Sequence, residues 1–274
     1  MDASTGGSGK GTGSSGGGVG GVGGRGSGLL TRTFEEMTRG AKPGRVVREA
    51  SLLTIFALIA AFPYIRYLLD IAVGRGMLGA ETASVVFVTD LFLLGVLLFL
   101  CGLVGLSFAP RHRLPGLGLT KQVARDLPLV IFGGLALAVV TFFLFDRYFY
   151  YVSPVSYPTS ILMLVCLPVK GAVTDEVILR LGMLTLAVGL LKQRDAGVML
   201  VAGLAALMSL RYFQFLGIQM GFNYMVIVHL LISFVGNLAL GYLYVRRGLI
   251  HAMIFKAVYG TRYLAAAVFL AGGC

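Results

Sequence analysis

The stretch GAVTDEVILRLG, residues 171 to 182, sets Asp175, Glu176 and Arg180 inside a run of apolar and small residues. Two adjacent carboxylates with an arginine nearby suit acid–base work, in which a carboxylate takes a proton from water. Such a base must lie within hydrogen-bond reach of that water and hold a pKa near the working pH. The same residues also suit a structural ion pair. Glu176 precedes Arg180 by four positions, the order that favours a helical pair. Asp175 projects about 100° away from Glu176 around a helix, so one guanidinium does not serve both acids equally. Asp175 is therefore expected to need another donor. Arg211 in AALMSLRYFQF and Lys256 in HAMIFKAVYG bring cations from other apolar stretches. Lys170 and Arg262 fall nearer to expected helix ends, where a long side chain reaches water. A purely structural network, two acids neutralised by three bases and fixing the packing of three helices, stands as the plain alternative to catalysis.

The histidines add little. His112 lies in a basic loop and is expected to be solvated, and His229 in MVIVHLLISF reads as a hydrogen-bonded packing residue. His251 is five residues before Lys256, about 140° around a helix, so the two do not share a face. There is no HExxH pair. Cys101, Cys166 and Cys274 form no CxxC pair and no metal-ligand spacing. No metal, cofactor or disulfide framework is expected.

The elements that must position these groups are membrane helices. The chain has 274 residues, of which 57% are hydrophobic and 13% charged, and its mean hydropathy is +0.87. That is too apolar for a soluble domain of this length. Seven apolar blocks reach or exceed the roughly 20 residues that span a bilayer: 50–73, 84–109, 127–146, 158–191, 196–216, 221–245 and 248–272. The net charge of +11 sits in short clusters between blocks. The N-terminal approach (Arg39, Lys42, Arg45, Arg48), the second connection (Arg111, Arg113, Lys121, Arg125), the fourth (Lys192, Arg194) and the sixth (Arg246, Arg247) are basic, whereas the alternate ones are near neutral. This alternation places the N-terminus in the cytoplasm and the C-terminus outside, in a multi-pass cell-membrane protein, and argues against a nucleic-acid role.

The expected fold is thus an all-α bundle of about seven transmembrane helices, residues 39–274. Before it comes a Gly/Ser-rich cytoplasmic tail, 1–38, with the composition of a disordered segment and neither a signal peptide nor a phosphate loop. Residues 110–126 read as an interfacial amphipathic helix or loop. Pro168 and Gly171 predict a break or kink in the overlong fourth block. No internal repeat supports a transporter built from two related halves.

The order of an acidic pair, three residues and an arginine in one helix, then a small-residue helix, then GYLYVRRGLIHAMIFKAVYG, resembles the CPBP superfamily of intramembrane endopeptidases. That superfamily includes the CAAX prenyl endopeptidase and the bacteriocin-processing or immunity (Abi) proteins. The likeness covers about residues 115–262, including the lead-in LPGLGLTKQVARDL. The family's EExxxR motif stands here as Asp175, Glu176 and Arg180, with Asp in place of the leading Glu. Its FxxxH motif falls on Leu207 and Arg211, and its HxxxN or HxxxD motif on Lys256 and Gly260.

The resemblance implies a scaffold for hydrolysing a membrane or lipidated peptide near the cytoplasmic leaflet, with a glutamate activating water and later residues stabilising the oxyanion. The departures work against it. Asp175 is one methylene short, and Arg211 and Lys256 would lower a neighbouring carboxylate's pKa. These cations suit oxyanion stabilisation better than proton transfer. Three classes stay open: an endopeptidase with an altered site, a non-catalytic relative that binds a membrane-bound or lipidated peptide, and a transporter using the acids as a relay. From the expected cytoplasmic ends, Lys256 lies about 12 Å deep and Arg211 about 22 Å deep at the helical rise, so their meeting requires tilted helices.

Overall fold

The structure is a computed structural model that describes residues 43–118, 122–152, 157–158, 160–215 and 224–271, without the side chains of 43, 122, 211–215 and 271. The chain divides into Met1–Met37 and Thr38–Cys274. The expected tail, 1–38, and most of the expected outer connection at 217–224 lie outside the described residues.

Every regular element among the described residues is helical. Helix α1 spans Pro43–Gly74, α2 Ala80–Phe108 and α3 Gln122–Thr141; α3 runs on through a π-helical turn, Phe142–Asp146, into α4, Arg147–Val152. Helix α5, Ile161–Lys170, continues through π-helical Gly171–Asp175 and Val177–Leu184 into α6, Thr185–Leu191. Then follow α7, Arg194–Phe215, α8, Tyr224–Arg247, α9, Leu249–Tyr259, and α10, Arg262–Ala266, which ends in π-helical Ala267–Ala271.

Five helical stretches are long and apolar enough to cross a membrane: Gly44–Gly74, Ala80–Phe108, Val123–Val152, Tyr224–Arg247 and Leu249–Leu270. They match five of the seven expected spans. The other two fall on the α5–α6 rod, which changes helix type twice, and on α7, which begins with Arg194 and Asp195 and contains Arg211. The polarity of the bundle is that of a protein immersed in lipid. Leu129 and Phe132 are 73% and 72% exposed, whereas Glu176 and Arg180 are 0% exposed. In water that arrangement would forfeit the hydrophobic contribution to folding; in hydrocarbon it puts the charges where they cost least.

Small residues set the helix spacing, as is usual where lipid removes the hydrophobic drive between helices. Ala50 of α1 meets Gly102 of α2, and Leu58 meets Gly95, so the two helices run antiparallel. Cys101 of α2 packs on Gly182 of the α5–α6 rod, and Val198 of α7 on Gly241 of α8. Three expected cytoplasmic connections meet at one end of this framework. Arg194 donates from Nη2 to the carbonyl of Arg113 at 3.0 Å, and Arg247 pairs with Asp126 at 2.6 Å.

Of the two forms expected for 110–126, amphipathic helix or loop, residues 110–118 take the loop. They form turns. Their backbone caps α9: Leu249 N–H donates to Gly116 O at 2.9 Å and Ile250 N–H to Leu117 O at 3.2 Å. These are first-turn donors of α9, which its own helix leaves unmatched. Gly118 and Gly248 have φ of +68° and +99°, and a Cβ at either would collide with the other strand of backbone. Only glycine meets both demands.

Candidate functional site

The expected break at 168–171 is a change of winding rather than an interruption. Pro168, inside α5, lacks the N–H that an α-helix would use. From Gly171 the rod takes π-helical spacing, in which bonds reach five residues rather than four. Asp175 and Glu176 sit where one π-helical segment gives way to the next.

Glu176 faces the packed interior. Its Oε2 accepts from Arg180 Nε at 3.2 Å, and Arg180 Nη2 donates to Asn237 Oδ1 at 2.6 Å. Asn237, on α8, is held in turn by Nδ2 donating to Ser233 O at 2.9 Å. Lys256 Nζ is 4.0 Å from Glu176 Oε1, too long for a hydrogen bond. Among the described residues, Oε1 of Glu176 and Nη1 of Arg180 have no hydrogen-bond partner.

Asp175 has a different environment. Its donor is Lys170, at 3.0 Å, and not a cation from another helix. Residues five apart are about 140° apart on an α-helix but come to one face across a π-helical turn. Lys170 also lies over the Tyr64 ring, 5.2 Å from its centroid, so it does not run out to water as its place near a helix end suggested. Lys256, offered by the sequence with Arg211 as a possible donor for Asp175, approaches Glu176 instead without bonding to it.

Arg262 is likewise not at a watery helix end. It pairs with Asp146 at 2.6 Å and lies over the rings of Tyr259 and Tyr263. Asp146, at the end of the expected span 127–146, is 1% exposed inside the helical rod. Tyr157 Oη donates to Asp146 Oδ1 at 2.7 Å, and burial together with the adjacent carboxylate raises the Tyr157 phenol far above its ordinary pKa. It stays a neutral donor.

A cavity of about 330 Å³ joins these groups. Lys170, Asp175, Lys256, Gly260, Arg262 and Asp146 line it, together with Tyr64, Tyr67 and Tyr157, and it extends to Arg75 at the end of α1. A second cavity of about 140 Å³ shares Lys256, Tyr259, Arg262 and His229 with it, and adds Asn237. Lys256 therefore faces both.

The residues expected at the site fare unequally. Asp175, Glu176, Arg180 and Lys256 come together. Gly260 lines the cavity, but its task is packing: a Cβ there would lie 2.5 Å from Pro168 Cβ, so glycine lets α9 approach α5. The Arg211 side chain lies outside the described residues. Leu207, one turn earlier, is 60% exposed on the outer face of α7. His229 bonds Ser209 Oγ through Nε2 at 3.0 Å, as a packing histidine should. His112 is half-buried and stacked on Phe108 rather than fully solvated. His251 is buried away from both cavities, and neither ring nitrogen has a hydrogen-bond partner among the described residues.

Sequence reasoning missed Asn237, Asp146 and Tyr157. A lone asparagine within VGNLALGY and a lone aspartate within FFLFDRYF were the available signals, since each is costly in hydrocarbon without a partner. Among the described residues, no group of three His, Cys, Asp or Glu side chains is placed to hold a metal ion. No protein-family profile, characterised protein or solved structure matches the chain significantly.

Proposed function

We propose that the chain is a CPBP-type intramembrane endopeptidase homologue of the CAAX-processing kind, in which the site holds a membrane-bound or lipidated peptide without hydrolysing it. The observation that carries this reading is the placement of Glu176, which is fully buried and neutralised by Arg180, with Lys256 beside it. A general base needs a water within reach and a free lone pair directed at it. Glu176 is walled off from solvent, while the cavity next to it is of a size that accommodates small ligands. The scaffold sits in the cell membrane with seven spans and a cytoplasmic N-terminus. The joining of Arg194 to the 110–118 connection and of Arg247 to Asp126 supports this by gathering basic connections at one end. Reporter fusions at residues 77 and 150 should both read as outside.

One observation favours hydrolysis as a second reading: the Asp175 side chain is 35% exposed on the cavity wall. Purified protein in lipid nanodiscs separates the two when offered a prenylated peptide carrying a fluorophore and quencher across its scissile bonds. Saturable binding with no dequenching is the expected result. Cleavage that vanishes in Asp175→Asn, with an unchanged melting temperature, would overturn the binding reading in favour of the protease.

A further inference from the structure

The ionic groups at the cavity do not balance. Asp146 is matched by Arg262 at 2.6 Å, Asp175 by Lys170 at 3.0 Å and Glu176 by Arg180 at 3.2 Å. Lys256 is left over. Among the described residues, the acid it approaches is Glu176, at 4.0 Å, which is already bonded to a guanidinium. The Lys256 side chain is 21% exposed and lines both cavities. A surplus cation in a low-dielectric interior is costly unless an anion comes to it. Much of the remaining wall is aromatic or aliphatic, with Tyr64, Tyr67, Leu68, Ile71, Met163 and Leu167, beside the polar Ser209, His229 and Arg75.

We infer that the larger cavity takes a small amphiphile with an anionic head, a carboxylate or a phosphate, seated at Lys256 and with its apolar body among these rings and aliphatic chains. This rests on the reading of the cavity as a binding site and not on the family resemblance. The cavity extends to exposed Arg75, just past the end of α1 and at the opposite end of the bundle from the 110–118 connection and Arg247. Under the topology proposed above, that is the outer leaflet, and Arg75 adds a positive charge where an anionic head would enter.

The test measures saturable, protein-dependent retention of radiolabelled dodecanoate, dodecyl phosphate and dodecanol by the full chain in phosphatidylcholine nanodiscs. At least one of the two anions should bind about tenfold or more tightly than the alcohol, because a hydrogen bond to a charged partner is worth roughly 1.5–3 kcal/mol. Which anion binds better distinguishes a fatty carboxylate from a phospholipid-like head. Lys256→Met should remove that preference and leave the alcohol unaffected. Equal binding of anion and alcohol by the unmodified chain, which needs no variant to fold, would overturn the inference. So would an undiminished preference in Lys256→Met, or equal retention of acetate and inorganic phosphate, which lack the apolar body. Retention of a C-terminally amidated prenylated peptide without any anion preference would overturn the ligand class alone. Loss of both would overturn the binding reading as well.

Discussion

Asp175 and Glu176 are neighbours in the chain and opposites in the fold. Glu176 is 0% exposed, tied to Arg180 on its own rod and, through it, to Asn237 on α8. Asp175 keeps 35% of its side chain open to a cavity and, among the described residues, is tied only to Lys170. A step of one residue around a helix separates a group that joins two helices from a group that lines a space. The same distinction sorts the cations: Arg180 is sealed at 0%, whereas Lys170 and Lys256 keep 22% and 21% of their side chains open. Ionic groups in one cluster therefore need not share one role. The sealed ones hold the helices, and the open ones are available to a ligand.

The largest effect should come from breaking the sealed side of this comparison. Arg180→Met leaves Glu176 buried with Lys256 at 4.0 Å as the nearest cation among the described residues and deprives Asn237 Oδ1 of its donor. Removing one member of a buried pair costs about 3–5 kcal/mol. Unfolding in detergent should show a loss of that order, and adding Glu176→Gln should restore part of it by removing the stranded charge. A loss below about 1 kcal/mol, the scale of an exposed pair, would show that Glu176 and Arg180 are not the sealed element described here.

Much of this arrangement is legible in the sequence, though not its connectivity. The inward facing of Glu176 and Arg180 follows from the cost of charge in hydrocarbon and from their i, i+4 spacing. Five apolar blocks coincide with helices able to span a bilayer. The partner of Asp175 was missed because α-helical spacing separates Lys170 from Asp175, and the residues do not announce a π-helical turn. Pro168 and Gly171 marked the place, yet they are as compatible with a kink as with a change of winding. The Asp146–Arg262 pair joins positions 116 apart in the chain. Only the meeting of the π-helical turn after α3 with α10 makes that pair. Expecting Arg262 to reach water treated its helix end as the membrane surface, whereas Tyr157 and Tyr263 cover it.

The open side should answer more weakly. Lys170→Met removes the donor of Asp175, but both groups keep contact with the cavity, and Asp175 can be rehydrated there. A loss within about 1 kcal/mol is expected, as for an exposed pair. The same unfolding assay checks it, and a loss equal to that of Arg180→Met would erase the contrast between the two acids. The ligand assay gives a second view, since Asp175 would then stand as an uncompensated anion on the cavity wall. Anionic amphiphiles should bind less well to Lys170→Met than to the unmodified chain.

The smallest effect on stability should come from Lys256→Met, and it is the most discriminating. A network in which every ion is needed would be destabilised by losing this lysine, because one acid would then lack its base. The pairings do not support that. Glu176 retains Arg180, Asp175 retains Lys170 and Asp146 retains Arg262, so three acids still meet three bases. Methionine also keeps much of the volume, with an unbranched side chain that fills irregular space. In ligand-free nanodiscs the melting temperature of Lys256→Met should equal or exceed that of the unmodified chain, since removing an unmatched charge from a low-dielectric site relieves a cost. A marked fall that is rescued by Glu176→Gln would show that Lys256 is a required partner of Glu176. A fall rescued by Asp175→Asn would instead tie Lys256 to Asp175 across the cavity wall. Either rescue would place Lys256 with Arg180 among the groups that hold the helices, and the division between sealed and open ions would fail at the residue on which ligand binding depends.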